Sequence, residues 1–191
     1  MTTLFSTMPS AVAPAPAADQ AVQDSSPSLP EMLIAWSARD EALTARSARL
    51  PGVAYWLREV AAARTEHERA LVRVVNQHGW PSVDLVGDEA ATAALRILLH
   101  GQDHAFLLRC RDLIAAAVED GACSQVHLAY VVDWCLVRLA QPQLYATAIN
   151  PALGRPYPVA DPDGLDTRRN EMCLPPLAQE LARHQTRRLA S

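Results

Sequence analysis

The sequence predicts a mainly α-helical protein: a single helical domain with a short irregular β element near the C-terminus and a disordered N-terminal tail. Three observations support this prediction. Apolar residues recur at helical spacing over most of the chain. Residues 1–29 are rich in Ala, Pro, Ser and Gln, a composition that favours disorder over packing into a core. The helical period stops after Gln143, where prolines and turn residues are concentrated.

Turn residues divide the predicted domain, residues 30–188, into successive helices. Proline and glycine cannot readily continue a helix, so each cluster of them marks a boundary. The expected helices cover residues 31–49, 53–77, 88–121 with a kink at Gly101, 124–141, a short stretch capped by Asp166, and a last stretch from Pro175 or Pro176 to about 188. Before Asp166, residues 144–149 and 157–159 are expected to be extended and to form a small irregular hairpin.

Composition excludes several classes of function. The net charge of −4 argues against a general nucleic-acid binder, which needs a basic face to displace counterions from phosphates. All 17 basic residues are arginines, so no lysine is present to form a Schiff base or to serve a Walker-type phosphate loop. The N-terminus does not resemble a secretory signal, and no apolar run is long enough to span a membrane. We expect a cytoplasmic protein with reduced thiols at its four cysteines.

Two polar groups on predicted helices are the candidate catalytic residues. His100 and Asp103 lie close together, and His104 follows His100 by one helical turn. A histidine pair at this spacing can chelate a metal, line a polar pocket or be incidental. We assign no metal ligand and take His100 and Asp103 as pocket residues. Asp133 lies in an apolar helix, where it is either a structural partner for an arginine or for backbone donors, or a catalytic acid.

The candidate ligand-binding residues lie in the proline-rich last third of the chain. Arg168 and Arg169 resemble an anion clamp, because a guanidinium group matches a carboxylate or phosphate. The structural alternative leaves one arginine solvated and pairs the other with an internal acid such as Asp161, Asp163 or Asp133. The remaining predicted ligand contacts are Gln143, Tyr145 and Thr147. If this stretch is extended, the hydroxyls of Tyr145 and Thr147 face one side.

Ordered motifs over residues 50–182 resemble those of an uncharacterised bacterial family of unknown function. Its Q-x-Y-G-T-Q motif is matched by residues 143–148, and its R-R-x-x-x-G-L-x-P-L motif by residues 168–177. Further matches are G-W-P-S-x-x-x-V-G at 79–87, an H-A-D-like patch at 100–103, A-Y-L-x-D-R at 129–134 and P-x-x-D-P at 158–162. The chain departs from these motifs by having Trp134 for arginine, Ala146 and Cys173 for glycine, and Ala148 for glutamine.

The resemblance implies a fold and a site but no reaction. We therefore expect an enzyme or enzyme-like protein that acts on a small polar or anionic molecule, and the lost motif residues would suit a divergent role in bacterial specialised metabolism. A non-catalytic protein-interaction or regulatory module is the alternative. A small-molecule ligand is expected, nucleic acid and membrane are not, and the sequence assigns neither a cofactor nor an oligomeric state.

Overall fold

The computed structural model describes residues 26–190 and confirms the mainly α-helical class, with eight helices and one two-stranded sheet in that range. In chain order the elements are α1 (Leu29–Arg49), α2 (Ala54–His78), α3 (Val83–Val86), α4 (Asp88–His100), α5 (His104–Glu119), α6 (Gln125–Arg138), β1 (Ile149–Asn150), β2 (Arg155–Pro156), α7 (Leu165–Glu171) and α8 (Leu177–Ala190). None of these helices combines the length and apolar character needed to cross a bilayer.

The first helix begins slightly earlier than predicted. Ser28 precedes α1, and its backbone N–H donates to the Glu31 carboxylate over 2.8 Å, as in a capping box. Pro30 occupies the first turn, where the backbone has no hydrogen-bond partner to lose. The predicted tail, residues 1–29, therefore ends before Ser28, and its first 25 residues lie outside the described range.

Helix α4 lies at the centre of the core. It contacts α1, α2, α3 and α6, while α5 packs against α6. Four of its buried residues are alanines, whose small side chains let the neighbouring helices approach closely. The core continues through apolar side chains of the surrounding helices, among them Leu33, Leu71, Phe106, Ile114 and Val131.

The predicted long helix over residues 88–121 is wrong, because the chain breaks after His100. A Cβ added to Gly101 would lie 2.2 Å from Oε1 of Glu68, and the N–H of Asp103 donates to the same oxygen over 2.8 Å. The side chain of Asp103 then caps α5 by accepting from the N–H of Phe106 over 3.0 Å. His100 and His104 consequently lie on different helices, so the one-helix chelation geometry does not exist.

The C-terminal segment contains the predicted hairpin. Strands β1 and β2 pair antiparallel, with Ile149 opposite Pro156, and Gln143 forms an isolated parallel bridge with Val159. One predicted cap is corrected here. Gly164 rather than Asp166 precedes α7. The Asp166 carboxylate instead accepts from the N–H of Leu177 over 3.0 Å and so links α7 to the start of α8.

Candidate functional site

The carboxylate of Asp133 is fully buried and anchors the C-terminal segment to α6. It accepts from the backbone N–H groups of Leu144 at 2.7 Å, Tyr145 at 3.0 Å and Thr147 at 2.8 Å. The hydroxyl of Thr147 donates to the same group over 2.8 Å. Four donors from one loop thus surround one buried charge, which is the compensation that a buried carboxylate needs. We call these residues the Asp133 network, together with the two arginines and the glutamine described next.

The side chain of Gln143 forms hydrogen bonds with backbone groups of the same C-terminal segment. Its side chain is fully buried; the amide NH₂ donates to the carbonyl of Ala148 over 3.0 Å and to that of Tyr157 over 2.9 Å. Its amide oxygen accepts from the N–H of Ala148 over 2.9 Å. All of these partners are backbone groups, and the carbonyl of Ala148 also accepts from the N–H of Tyr157 over 3.2 Å. Gln143 thus supplements the few backbone hydrogen bonds of this irregular stretch.

Both predicted clamp arginines bind backbone carbonyls. Arg169 is buried; it donates to the carbonyl of Pro175 over 2.7 Å and to that of Tyr145 over 2.5 Å. Arg168 donates to the carbonyl of Leu144 over 3.0 Å and forms an ion pair with Asp161 at 3.0 Å. A guanidinium that holds several internal acceptors has few donors left for a ligand.

These contacts give Asp133 one of its predicted roles, that of a structural partner for backbone donors. The prediction that Asp133 is buried and paired is confirmed, and its partners are backbone donors and a hydroxyl rather than an arginine. The structural alternative for the arginines is half right, because Arg168 pairs with an internal acid while Arg169 is buried and not solvated. Catalysis by Asp133 and ligand contacts from Gln143, Thr147 and the arginines stay predictions, made for groups that already have internal partners.

The side chain of Tyr145, within the Asp133 network, is half-buried. Burial raises the pKa of its phenol, and the negative charge of Asp133 raises it further, so the hydroxyl stays protonated at neutral pH. The loop is not a regular strand at this point, because Ala146 has a φ of 56°. The expected extended register, with the hydroxyls of Tyr145 and Thr147 on one side, is therefore interrupted between them.

Two positions where the resembling motifs have glycine are left-handed in this chain. Ala146 and Cys173 both have a φ of 56°, a conformation that glycine adopts without the steric cost of a Cβ atom. The turn at Ala146 points the N–H groups of residues 144, 145 and 147 at Asp133, and the turn at Cys173 follows α7, which carries both arginines. The left-handed backbone at these two positions thus explains why the motifs have glycine there, independently of any ligand.

Replacing Cys173 by glycine should raise the free energy of unfolding by about 0.5–1 kcal/mol, because the strained left-handed conformation is relieved at an exposed site. Chemical denaturation followed by circular dichroism measures the change. Cys173→Ala is the matched control: it removes the thiol but keeps the Cβ atom, and so should leave stability nearly unchanged. Equal stabilities of the glycine and alanine variants would contradict the backbone explanation.

A second polar cluster lies between α1, α2 and α4, and it contains His100. Nδ1 of His100 lies 2.7 Å from Oδ2 of Asp40, and Nε of Arg64 lies 2.7 Å from Oδ1 of the same carboxylate. Asp40 is almost fully buried, while the side chain of His100 is 42 % exposed. We call this cluster, lined also by Ser37, Glu41, His67, Arg96 and Ile97, the Asp40 cleft.

The charge state of Asp40 follows from its two neighbours. Burial by itself would raise the pKa of this carboxyl group, but the hydrogen bonds and charges of His100 and Arg64 outweigh burial and lower the pKa to about 2. Asp40 is therefore a carboxylate at any physiological pH. It accepts from Nδ1–H of His100, which leaves Nε2 as the nitrogen that faces outward.

His67 forms the inner wall of the Asp40 cleft. It is 2 % exposed, its ring stacks on Trp36 with centroids 6.1 Å apart, and neither ring nitrogen has a hydrogen-bond partner among the described residues. Burial lowers its pKa, so it is neutral near pH 7. The cleft encloses about 20 Å³, roughly the room one water molecule or one small polar group needs. A polar group that enters the cleft can therefore form a hydrogen bond with a ring nitrogen of His67 that has no partner among the described residues.

Stability should depend on pH through Asp40. Its folded pKa of about 2 lies below the ordinary value of about 3.9, so its stabilisation is complete above about pH 5 and is lost as the pH falls towards 2. The lost contribution should be about 2 kcal/mol. We expect the stability difference between the wild type and Asp40→Asn to shrink by this amount between pH 6 and pH 2. Asp163→Asn, at an exposed position, should show a difference independent of pH.

The predicted site residues fall into two groups. Asp133, Gln143, Tyr145, Thr147, Arg168 and Arg169 belong to the Asp133 network, whereas His100 belongs to the Asp40 cleft. Asp103 caps α5 in the loop beside His100. Within residues 26–190 no hydrogen bond or ion pair joins His100 to Asp133. A single pocket that contains both stays a prediction.

Asp40 and His67 are the residues that sequence reasoning missed, although the sequence contains a signal for each. Asp40 follows the buried residues Leu33 and Ser37 at helical spacing on α1. His67 likewise lies between buried alanines on the inner face of α2. A polar residue in an apolar helical stripe needs a partner or a function. The same test found Asp133 and was not applied to these two helices.

No group of three or more His, Cys, Asp or Glu side chains in the described part of the chain is arranged to hold a metal ion. Cys123 and His127 do meet, with Sγ and Nδ1 3.6 Å apart, but burial raises the pKa of the Cys123 thiol. A protonated thiol is a poor nucleophile, so this pair is a packed structural contact.

Comparison with known proteins identifies the family. The model for a Family of unknown function (DUF6624) matches residues 32–186, which is most of the chain and includes both the Asp40 cleft and the Asp133 network. The chain belongs to this family. The comparisons with curated proteins and with solved structures found no match.

Proposed function

We propose that this member of the family of unknown function is an enzyme or enzyme-like protein that acts on a small polar molecule in the Asp40 cleft. The contact between Nδ1 of His100 and Oδ2 of Asp40, 2.7 Å long, carries this proposal. The half-exposed imidazole is open to a ligand, while the carboxylate behind it is buried.

The pair supplies the parts of a proton-transfer site. A carboxylate that accepts from Nδ1–H fixes the ring orientation and the tautomer, so that Nε2 presents a lone pair to the ligand. Arg64 holds the other carboxylate oxygen and keeps the charge of Asp40 in place. His100 would then accept a proton from the bound molecule, and Asp40 would stabilise the imidazolium that forms.

Size and charge restrict the ligand. The enclosed part of the cleft is about 20 Å³, so only one small group enters it and the rest of the ligand lies at the exposed rim. The ionised lining consists of the carboxylates of Asp40 and Glu41 and the guanidinium groups of Arg64 and Arg96, which pair with each other. This balance favours a polar, weakly charged molecule over a strongly anionic one. The unpartnered nitrogens of His67 would bind its buried group.

Thermal unfolding in the presence of a library of small polar metabolites tests the proposal. A ligand at about 100 times its Kd stabilises the native state by about 2.7 kcal/mol. For a domain of this size that raises Tm by about 5–10 °C. We expect at least one compound to raise the Tm of the wild type by this amount and to be turned over by the protein. His100→Ala should lower the turnover by about 100-fold or more.

Controls separate the cleft from other sites. His78→Ala removes an exposed histidine at the end of α2 and should change neither binding nor turnover. A compound whose binding survives His100→Ala but is lost in Arg168→Ala would place the ligand in the Asp133 network. Binding and turnover that are both intact in His100→Ala would refute the proposed role of the imidazole.

The second candidate is a non-catalytic interaction module, favoured by a different observation. Four of the seven large hydrophobic side chains that are exposed in the described residues fall within residues 50–57, where α1 turns into α2. Such a concentration is typical of a protein contact surface rather than of a solvated turn. The two candidates occupy different surfaces, and so the same chain can serve both.

A further inference from the structure

The turn between α1 and α2 combines exposed apolar side chains with uncompensated positive charge. Residues 42–58 include three arginines and no Asp or Glu, in a chain whose net charge is −4. Leu50, Val53, Tyr55 and Leu57 are 41–61 % exposed in the same stretch. We call this stretch, with Arg46, Arg49 and Arg58, the helical-hairpin tip.

The arginines of the tip are free of acidic partners. None of the ion pairs among the described residues involves Arg46, Arg49 or Arg58. Arg46 instead lies over the ring of Trp56, 4.6 Å from its centroid, and Tyr55 packs edge-on against the same ring at 4.9 Å. The stacking fixes one guanidinium group on an aromatic platform and leaves its N–H donors for an acceptor from outside.

The last turns of α1 border an open depression at the tip. It has a volume of about 570 Å³ and is lined by the small residues Ala42 and Ala45 together with Arg46, Arg49 and Leu50. A helix lying there would place apolar side chains on the alanines and acidic ones beside the guanidinium groups.

We propose that the helical-hairpin tip binds an acidic amphipathic helix of a partner protein. The charge of the tip selects the partner, because carboxylates pair with guanidinium groups and a basic helix is repelled. The exposed apolar side chains supply the buried area. This interaction is independent of the Asp40 cleft, whose lining residues it does not use.

Two labelled helical peptides of about 14 residues test this, long enough for four turns. Both carry leucines at helical spacing; one has glutamates and the other lysines at the remaining positions. Fluorescence anisotropy with the full chain should show the glutamate peptide binding at least about tenfold more tightly, with an affinity that falls as salt rises. Equal affinities for the two peptides would overturn the proposal.

Variants locate the binding surface. Arg49→Glu and Leu57→Glu should each lower the affinity for the glutamate peptide by about tenfold or more. Arg73→Glu makes the same charge change at an exposed position elsewhere on α2 and should leave binding unchanged. Circular dichroism should show that all three variants keep the helical content of the wild type. Binding that Arg49→Glu and Leu57→Glu leave intact contradicts the assignment.

The other occupants of the tip give different results. Sedimentation of the protein with vesicles rich in an anionic phospholipid, lost in Leu57→Glu while neither peptide binds, would assign the tip to a lipid surface. A dimer in light scattering that Leu57→Glu dissociates would assign it to a second copy of the chain. Either result overturns the proposal of a helical protein partner.

Discussion

Asp133→Asn should lower the free energy of unfolding by about 3 kcal/mol, because it leaves buried hydrogen-bond donors without their acceptor. The asparagine NH₂ would face the N–H groups of Leu144, Tyr145 and Thr147, so at least one of these buried donors loses its acceptor. The missing charge also weakens the hydrogen bonds that remain. Urea denaturation measured by circular dichroism gives the change.

A graded series checks that the loss comes from the Asp133 network. Thr147→Val removes one of four donors and should cost only about 1 kcal/mol. Asp163→Asn changes an exposed carboxylate and should cost almost nothing. If Asp133 were instead a catalytic acid without a structural role, Asp133→Asn would fold with wild-type stability, and that outcome contradicts our interpretation.

Arg169→Met should destabilise the protein by about 3 kcal/mol even though methionine fills much of the same volume. The loss arises because the carbonyls of Tyr145 and Pro175 keep their buried positions but lose their donor. Arg169→Ala should cost about 1 kcal/mol more, because it also leaves a cavity. Thermal unfolding of both variants, compared with the wild type, gives these differences.

Arg155→Met is the matched control, since Arg155 is exposed on β2. It should change stability by less than about 0.5 kcal/mol. The comparison also separates the two roles considered for Arg169. An anion clamp that served only a ligand would tolerate methionine in the absence of ligand, so a stable Arg169→Met protein would restore the clamp hypothesis.

The helices and the hairpin could be predicted because their signals are local. Helical periodicity predicted α1, α2 and α6. A hairpin was predicted in the right part of the chain, but its strands, expected at residues 144–149 and 157–159, are the shorter β1 and β2. A kink at Gly101 was predicted, but the complete break between α4 and α5 was not, since apolar spacing continues across it. Gly101 and Asp103 were both visible in the sequence, but their contact with Glu68 depends on how α2 packs.

The candidate site was less predictable because the hydrogen-bond and ion-pair partners of its residues depend on the tertiary structure. The sequence shows that Asp133 needs compensation, but not that a left-handed turn at Ala146 aims backbone N–H groups at it. Likewise His100 was selected as a pocket residue, while its partner Asp40 lies far away in the chain on α1. A buried charge can therefore be predicted from its neighbours in sequence, and its partner only from the packing of the helices.

The anchoring of the C-terminal segment by Asp133 has a consequence for hydrogen exchange. The amides of Leu144 and Tyr145 have an acceptor on α6 and none in a helix or strand of their own. They can exchange with solvent only when the segment separates from α6, and Thr147 shares that acceptor. The three amides should therefore open together, with one common free energy, as a single cooperative unit of the native state.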